Sequence, residues 1–159
     1  MKTYRKGVFF VVYKKEKGKL LYLMLHRKKH WKGWEFPKAG LKKWEKSKAN
    51  EEKGVRRELK EEAGGCKLIR LIRFNIRGKY KYNKQIPERK DWLGQTYSLY
   101  AAEVGCKKVK IDKEEHDNYK WLRFKEALKI LTWPNQKKCL RVVNKKINAS
   151  KNLAVYFGL

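Results

Sequence analysis

The stretch Arg57-Glu58-Leu59-Lys60-Glu61-Glu62-Ala63-Gly64 restricts the fold of this chain more than any other segment. Val55, Leu59 and Ala63 stand at i, i+4 and i+8, which is one face of a helix. Gly64-Gly65 supplies its stop, so a helix is predicted from about Asn50 to Ala63. On that helix Glu58 has Glu61 at i+3 and Glu62 at i+4, and three carboxylates crowd one side. Like charges at this spacing repel by roughly 0.2–0.5 kcal/mol per pair. A hard divalent cation, Mg²⁺ or Mn²⁺, held by oxygen ligands would offset the repulsion. A solvated acidic face paired with Lys60, Arg56 and Arg57 would do the same, and spacing alone leaves both open.

The crowding stands out because the rest of the chain is basic. Lys and Arg number 43 against 16 Asp and Glu, a formal charge of +27. Such a surface attracts polyanions: nucleotides, nucleic acids or anionic lipid. With 159 residues and 42% hydrophobic content the chain fits one ordered domain. The longest apolar run, Val8 to Tyr13, is far short of a membrane span. Lys2, Arg5 and Lys6 precede it in the manner of a signal peptide, but Lys14 and Lys15 follow at once without a small-residue cleavage site. A buried strand is the better reading. Cys66, Cys106 and Cys139 are odd in number and widely spaced, which points to reduced thiols and a cytoplasmic protein.

Residues 4–13 and 19–27 read as two strands around a lysine-rich turn, followed by a basic loop, 26–32. After the helix, 66–82 reads as extended, 83–91 as a loop holding Pro87, and 95–104 as a central strand. A further strand is expected at 119–124, a short helix at 125–131 and an amphipathic helix at 135–147, with Leu140, Val143 and Ile147 on one face. The apolar tail Leu153–Leu159 is left unplaced. The order β-β-α-β-β-α suggests an α/β fold, a mixed sheet with helices on both faces.

Residues 57–64 fill every specified position in the second half of the Nudix box, G-x5-E-x7-R-E-U-x-E-E-x-G-U, where U is bulky and apolar. Trp34-Glu35-Phe36-Pro37-Lys38 resembles the W-x-F-P-K/G segment that leads into it. The first half departs from the pattern. Ala39 takes the first-glycine position, Glu45 follows at the correct spacing, and 11 residues rather than 7 separate Glu45 from Arg57, implying a four-residue insertion. Gly40 shares the turn with Ala39, and Gly65 occupies the final apolar position. The resemblance implies a single Nudix hydrolase domain over 1–159, an α/β/α sandwich that cleaves phosphoric anhydrides of nucleotides with Mg²⁺. It maps Glu58, Glu61 and Glu62 to the metal-binding glutamates and makes Arg57 a buttress paired with a glutamate. The changed loop leaves the role of Glu45 open.

Glu115-His116-Asp117-Asn118-Tyr119-Lys120-Trp121-Leu122 resembles the E-H-x-x-Y-x-W-L stretch of asymmetrical diadenosine tetraphosphate hydrolases, a branch akin to RNA 5′-pyrophosphohydrolases. Trp92-Leu93-Gly94-Gln95 resembles their lead into a central strand. By that resemblance Glu115 is a fourth metal carboxylate and Tyr119 a stacking face for a base. Lys38 and Arg27 are candidates for substrate phosphate. Each has a plainer reading: Glu115 as one acid of a loop, Lys38 as one more surface lysine. His30 and His116 read as polar surface residues. The tracts 27–32 and 79–90 mix positive charge with Trp31, Tyr80 and Tyr82, a pattern expected for single-stranded nucleic acid. The expected substrate is a dinucleoside polyphosphate, with triphosphorylated RNA ends as the alternative. A non-catalytic nucleic-acid-binding Nudix module is the third reading.

Overall fold

The computed structural model describes residues 1–156, with side chains through Ser150. The strands are β1 (Thr3–Glu16), β2 (Lys19–Arg27), β3 (Gly33–Glu35), β4 (Lys38–Gly40), β5 (Gly64–Lys81), β6 (Trp92–Lys110) and β7 (His116–Leu122). The helices are α1 (Glu51–Glu62), α2 (Phe124–Ile130) and α3 (Pro134–Tyr156). The tail Leu153–Leu159 lies outside the residues whose side chains are described.

The run that read as a buried strand is the centre of the sheet. β1 lies parallel to β6 along one edge, from Tyr4 opposite Gly94 to Tyr13 opposite Glu103. On its other edge it pairs antiparallel with β4 near Gly7–Phe9 and with β2 near Tyr13–Glu16. The order β3-β2-β1-β6-β5, with β7 beside β2, makes a mixed seven-stranded sheet. Because side chains alternate along a strand, Val8, Phe10 and Val12 face one layer while Phe9, Val11 and Tyr13 face the other. The first set packs on Val55 and Leu59 of α1 and on Ala63, which caps its end. The second packs on Ala127, Leu131, Leu140, Val143 and Ile147 from α2, α3 and the link between them. The result is the expected α/β/α sandwich. No helix among the described residues is long and apolar enough to cross a membrane.

The cysteine expectation is corrected. Cys66 and Cys106 are bonded across β5 and β6, where the register sets them directly opposite with Cα atoms 4.4 Å apart. Only Cys139 is a free thiol, buried under α3. Antiparallel pairing brought together two residues 40 apart in sequence, which spacing alone could not reveal.

Candidate active site

Helix α1 presents its acids along one side, and the first-half residue Glu45 explains how it is held. Lys43–Glu45 forms a short 3-10 turn, capped by Lys42, in which Glu45 is fully buried. Arg57 Nε donates to Glu45 Oε2 and Nη2 to Oε1, both at 2.8 Å, a two-pronged pairing. Glu45 therefore braces the arginine. Gly54 makes room for the brace, since a Cβ there would meet Leu41 Cδ2 at 2.6 Å and Glu45 Cδ at 3.2 Å. The link 46–50 joins this turn to α1, and the four extra residues fall somewhere between Glu45 and Arg57. Gly65, atypical for the box, has φ 86°, and a Cβ would stand 2.5 Å from the Lys108 carbonyl oxygen. Only glycine suits that turn.

Braced in this way, Arg57 Nη1 reaches Glu58 at 2.6 Å and Glu61 at 3.5 Å. Burial is the main cause that pushes the Glu58 carboxyl up to about 7. Arg57 opposes the shift, while Glu61 and Glu62 add to it. Glu61 projects into solvent and Glu62 is buried.

Glu62 meets a residue that the sequence reading misplaced. His116 is 1% exposed, not a surface side chain. A register shift in the β2–β7 pairing between His26 and Arg27 sets His116 opposite Arg27 and turns it inward. Its Nε2 donates to Glu35 Oε1 at 3.0 Å, and its Nδ1 faces Glu62 Oε2 at 3.2 Å. Burial alone would lower its pKa. The two carboxylates outweigh that and raise it to about 9, so the ring is an imidazolium at neutral pH.

Glu35 is the functional residue that sequence reasoning quoted without assigning a role. Besides His116 it accepts a hydrogen bond from Arg27 Nη1 at 3.1 Å and has Lys38 Nζ at 3.4 Å. Burial pushes its pKa up, but Lys38, His116 and Arg27 together hold it down to about 2. An acid between Trp34 and Phe36, in a segment bound for the core, was the available signal, because a buried carboxylate needs cationic partners. Arg27, also buried, is kept charged against its own desolvation by Glu35 and by Glu115, 3.7 Å away. Arg27 thus lies beneath the site and does not line an open cleft.

Glu62, Glu115 and His116 offer ligand atoms within 4.8 Å of one another. Glu62 Oε2 and Glu35 Oε2 are buried and meet the cations His116 Nδ1, at 3.2 Å, and Lys38 Nζ, at 3.4 Å. Crowded carboxylates such as Glu62 and Glu115 suit an oxygen-seeking divalent cation. Glu62 and Glu115, with Glu58 and Glu61 on the adjoining turn, are the residues that could hold one.

A cleft of about 510 Å³ adjoins this network. Its lining includes Trp31, Lys38, Tyr80, Tyr82, Arg89 and Trp133. The Trp31 and Trp133 rings meet edge to face at 5.1 Å, and the Arg89 guanidinium lies 4.4 Å over Tyr82. Lys38 belongs to both regions, since it lines the cleft and pairs with Glu35. Tyr119 does not line it. Opposite Leu25, it is partly buried against the α1-side core.

A sequence-family model described as the NUDIX domain matches residues 3–143. The chain belongs to the Nudix family. Its fold is similar to that of a C. elegans Ap4A hydrolase in a binary complex, at 21% identity, TM-score 0.70, covering 91% of this chain and 98% of that one. It is also similar to the E. coli dihydroneopterin triphosphate pyrophosphohydrolase, at 18% identity and TM-score 0.66, over 87% and 95% of the two chains. A third is the NUDIX domain of Shewanella oneidensis NrtR complexed with ADP ribose, at 14% identity and TM-score 0.63, over 92% and 90%. No curated protein sequence matches this chain significantly. Family membership, together with the intact Glu58, Glu61 and Glu62, makes this protein a Nudix-type pyrophosphohydrolase.

Proposed function

We propose that this single-domain Nudix hydrolase cleaves dinucleoside polyphosphates, above all diadenosine tetraphosphate, with Mg²⁺ or Mn²⁺. The observation that carries the proposal is a buried chain of contacts from the cleft to the carboxylates: Lys38 lines the cleft and holds Glu35, Glu35 holds His116, and His116 faces Glu62. Glu58, Glu61, Glu62 and Glu115 would hold the cation, which supplies Lewis-acid polarisation of phosphoryl oxygens and a lowered pKa for the attacking water. Arg57, fixed by Glu45, orients Glu58 and Glu61. Arg27 fixes Glu35 and Glu115 from below and acts on substrate only through them. Lys38 and Arg89 offset charge on the leaving phosphates. Trp31 and Tyr82 offer the cleft a base-stacking face, the part the family resemblance gave to Tyr119.

Incubation with diadenosine tetraphosphate and Mg²⁺, with products separated by chromatography, tests this reading. ATP and AMP in equal amounts support it, and an untouched substrate refutes it. A cytoplasmic location is proposed from the substrate class alone, because the bonded Cys66 and Cys106 withdraw the cysteine argument. The RNA-end reading is favoured by one feature, the basic residues Lys79, Lys81, Lys84 and Arg89 along one rim of the cleft.

A further inference from the structure

A second cleft, of about 390 Å³, opens on the sheet beside the start of α1. Lys6, Lys48, Arg73, Arg77 and Lys79 line it, against one acid, Glu51. That acid lies at the buried floor of the cleft. It is 2% exposed, and it accepts from Tyr100 at 2.8 Å and Ser98 at 3.2 Å. Arg73 Nε is buried and pairs with Glu51 Oε1 at 3.5 Å, so the one acid in the lining is already matched by a cation. Among the described residues, Lys6, Lys48, Arg77 and Lys79 have no carboxylate within ion-pair distance. Lys48 comes from the link between the Glu45 turn and α1, and Lys6 Nζ donates to the backbone carbonyl of Lys46 in the same link. That link therefore contributes to the cleft.

We infer that this second cleft is an anion site for a linear oligophosphate, such as a tri- or tetraphosphate, and that it recognises the phosphates without a base. With Arg73 matched by Glu51, Lys6 held by the Lys46 carbonyl and Lys79 over the Tyr4 ring at 5.1 Å, the lining carries an excess of positive charge, Lys48 and Arg77 foremost, that an anion would neutralise. The only aromatic side chain in the lining, Tyr97, is buried and stacked on Phe9 at 3.9 Å, so no free ring face remains for a base. That separates this cleft from the aromatic one and argues against a nucleic-acid strand, whose bases need such faces. Its oligophosphate can be free or the phosphate chain of a nucleotide. The inference stands on these cations alone and does not depend on which substrate the carboxylates cleave.

The test is calorimetric titration of inorganic tripolyphosphate, ATP and an eight-nucleotide oligouridylate into the full chain without divalent metal. It is repeated on the double variant Lys48→Gln, Arg77→Gln. Both side chains are exposed and lie outside the catalytic carboxylates and the first cleft. Tripolyphosphate should bind the variant at least tenfold more weakly than the wild type, whereas ATP, which the aromatic cleft also accepts, should lose less. Turnover of diadenosine tetraphosphate should stay within twofold. Unchanged tripolyphosphate binding in the variant would place the anion elsewhere and overturn the inference. So would an oligouridylate affinity that falls in the variant while tripolyphosphate affinity does not. A thermal unfolding midpoint of the variant in plain buffer, expected within 2 °C of wild type by order of magnitude for two exposed changes, guards against a trivial loss of fold. If that midpoint drops further, the same titrations on Lys48→Gln alone decide, with a loss of at least threefold expected and no loss contradicting the assignment.

Discussion

Replacing His116 by Gln removes the imidazolium from between Glu35 and Glu62 while keeping a polar side chain of similar size. The structure fixes how the loss should depend on pH. In the unfolded chain the ring titrates at 6.5, and in the folded one at about 9. Below pH 6.5 both states carry the proton and the stabilisation is complete. Above it the unfolded chain loses the proton first, and stability falls by about 1.4 kcal/mol per pH unit until the folded ring deprotonates near 9. Across that window the contribution is about 3 kcal/mol. At 1% exposure the pair is little screened by solvent. Urea unfolding of wild type and His116→Gln in chelator, at pH 6, 7, 8 and 10, measures it. The stability gap between the two proteins should shrink by about 3 kcal/mol from pH 6 to pH 10, the lysine titrations cancelling in the difference. A gap that stays constant with pH would refute the buried imidazolium.

Other consequences follow from the same network. Glu61→Gln should cut turnover by orders of magnitude at saturating Mg²⁺ with little change in unfolding midpoint. Glu45→Gln should do the reverse, costing about 1.5–3 kcal/mol of stability through the Arg57 pairing and much less turnover, and equal losses of turnover would show that Glu45 reaches the metal. Because Glu58 sits at about 7 and must release its proton to bind a cation, Mn²⁺ affinity followed by electron paramagnetic resonance should rise from pH 5.5 to 8. Glu58→Gln should flatten that rise, and a pH-independent wild-type affinity would contradict it. Reduction of the Cys66–Cys106 bond, which closes a 40-residue loop, should lower unfolding stability by about 4 kcal/mol, and identical urea curves with and without reductant would argue against the pairing.

Much of this architecture was written in local patterns. The spacing of Val55, Leu59 and Ala63 gave α1 within a residue, and an unbroken apolar run from Val8 to Tyr13 marked a strand covered on both faces. The crowded Glu58, Glu61 and Glu62 showed where a cation could sit. What stayed hidden joins residues far apart in the chain. Glu35, Glu62 and His116 lie on three separate elements, and His116 stands among Glu114, Glu115 and Asp117, where a polar neighbourhood reads as surface. Its burial depends on the displaced β2–β7 register, which periodicity does not encode. The disulfide likewise depends on the β5–β6 register. The cleft draws Trp31 and Trp133 from connections before β3 and before α3, segments with no period to read. Glu45, set in doubt by the insertion, still pairs with Arg57 across the longer spacing.

The most direct measurement is kcat/KM at physiological salt with Mg²⁺ for diadenosine tetraphosphate and for 5′-triphosphorylated oligonucleotides of one to eight nucleotides. A dinucleotide enzyme grips a short phosphate bridge through Lys38 and stacks a base in the aromatic cleft, so added nucleotides help it little. An RNA enzyme would neutralise further phosphates, and its apparent affinity would fall with salt at a log–log slope near −0.7 for each one. The account predicts a higher kcat/KM for diadenosine tetraphosphate, split to ATP and AMP, and no gain from RNA length. A reversed order, with efficiency climbing as the RNA grows and falling steeply with salt, would contradict it.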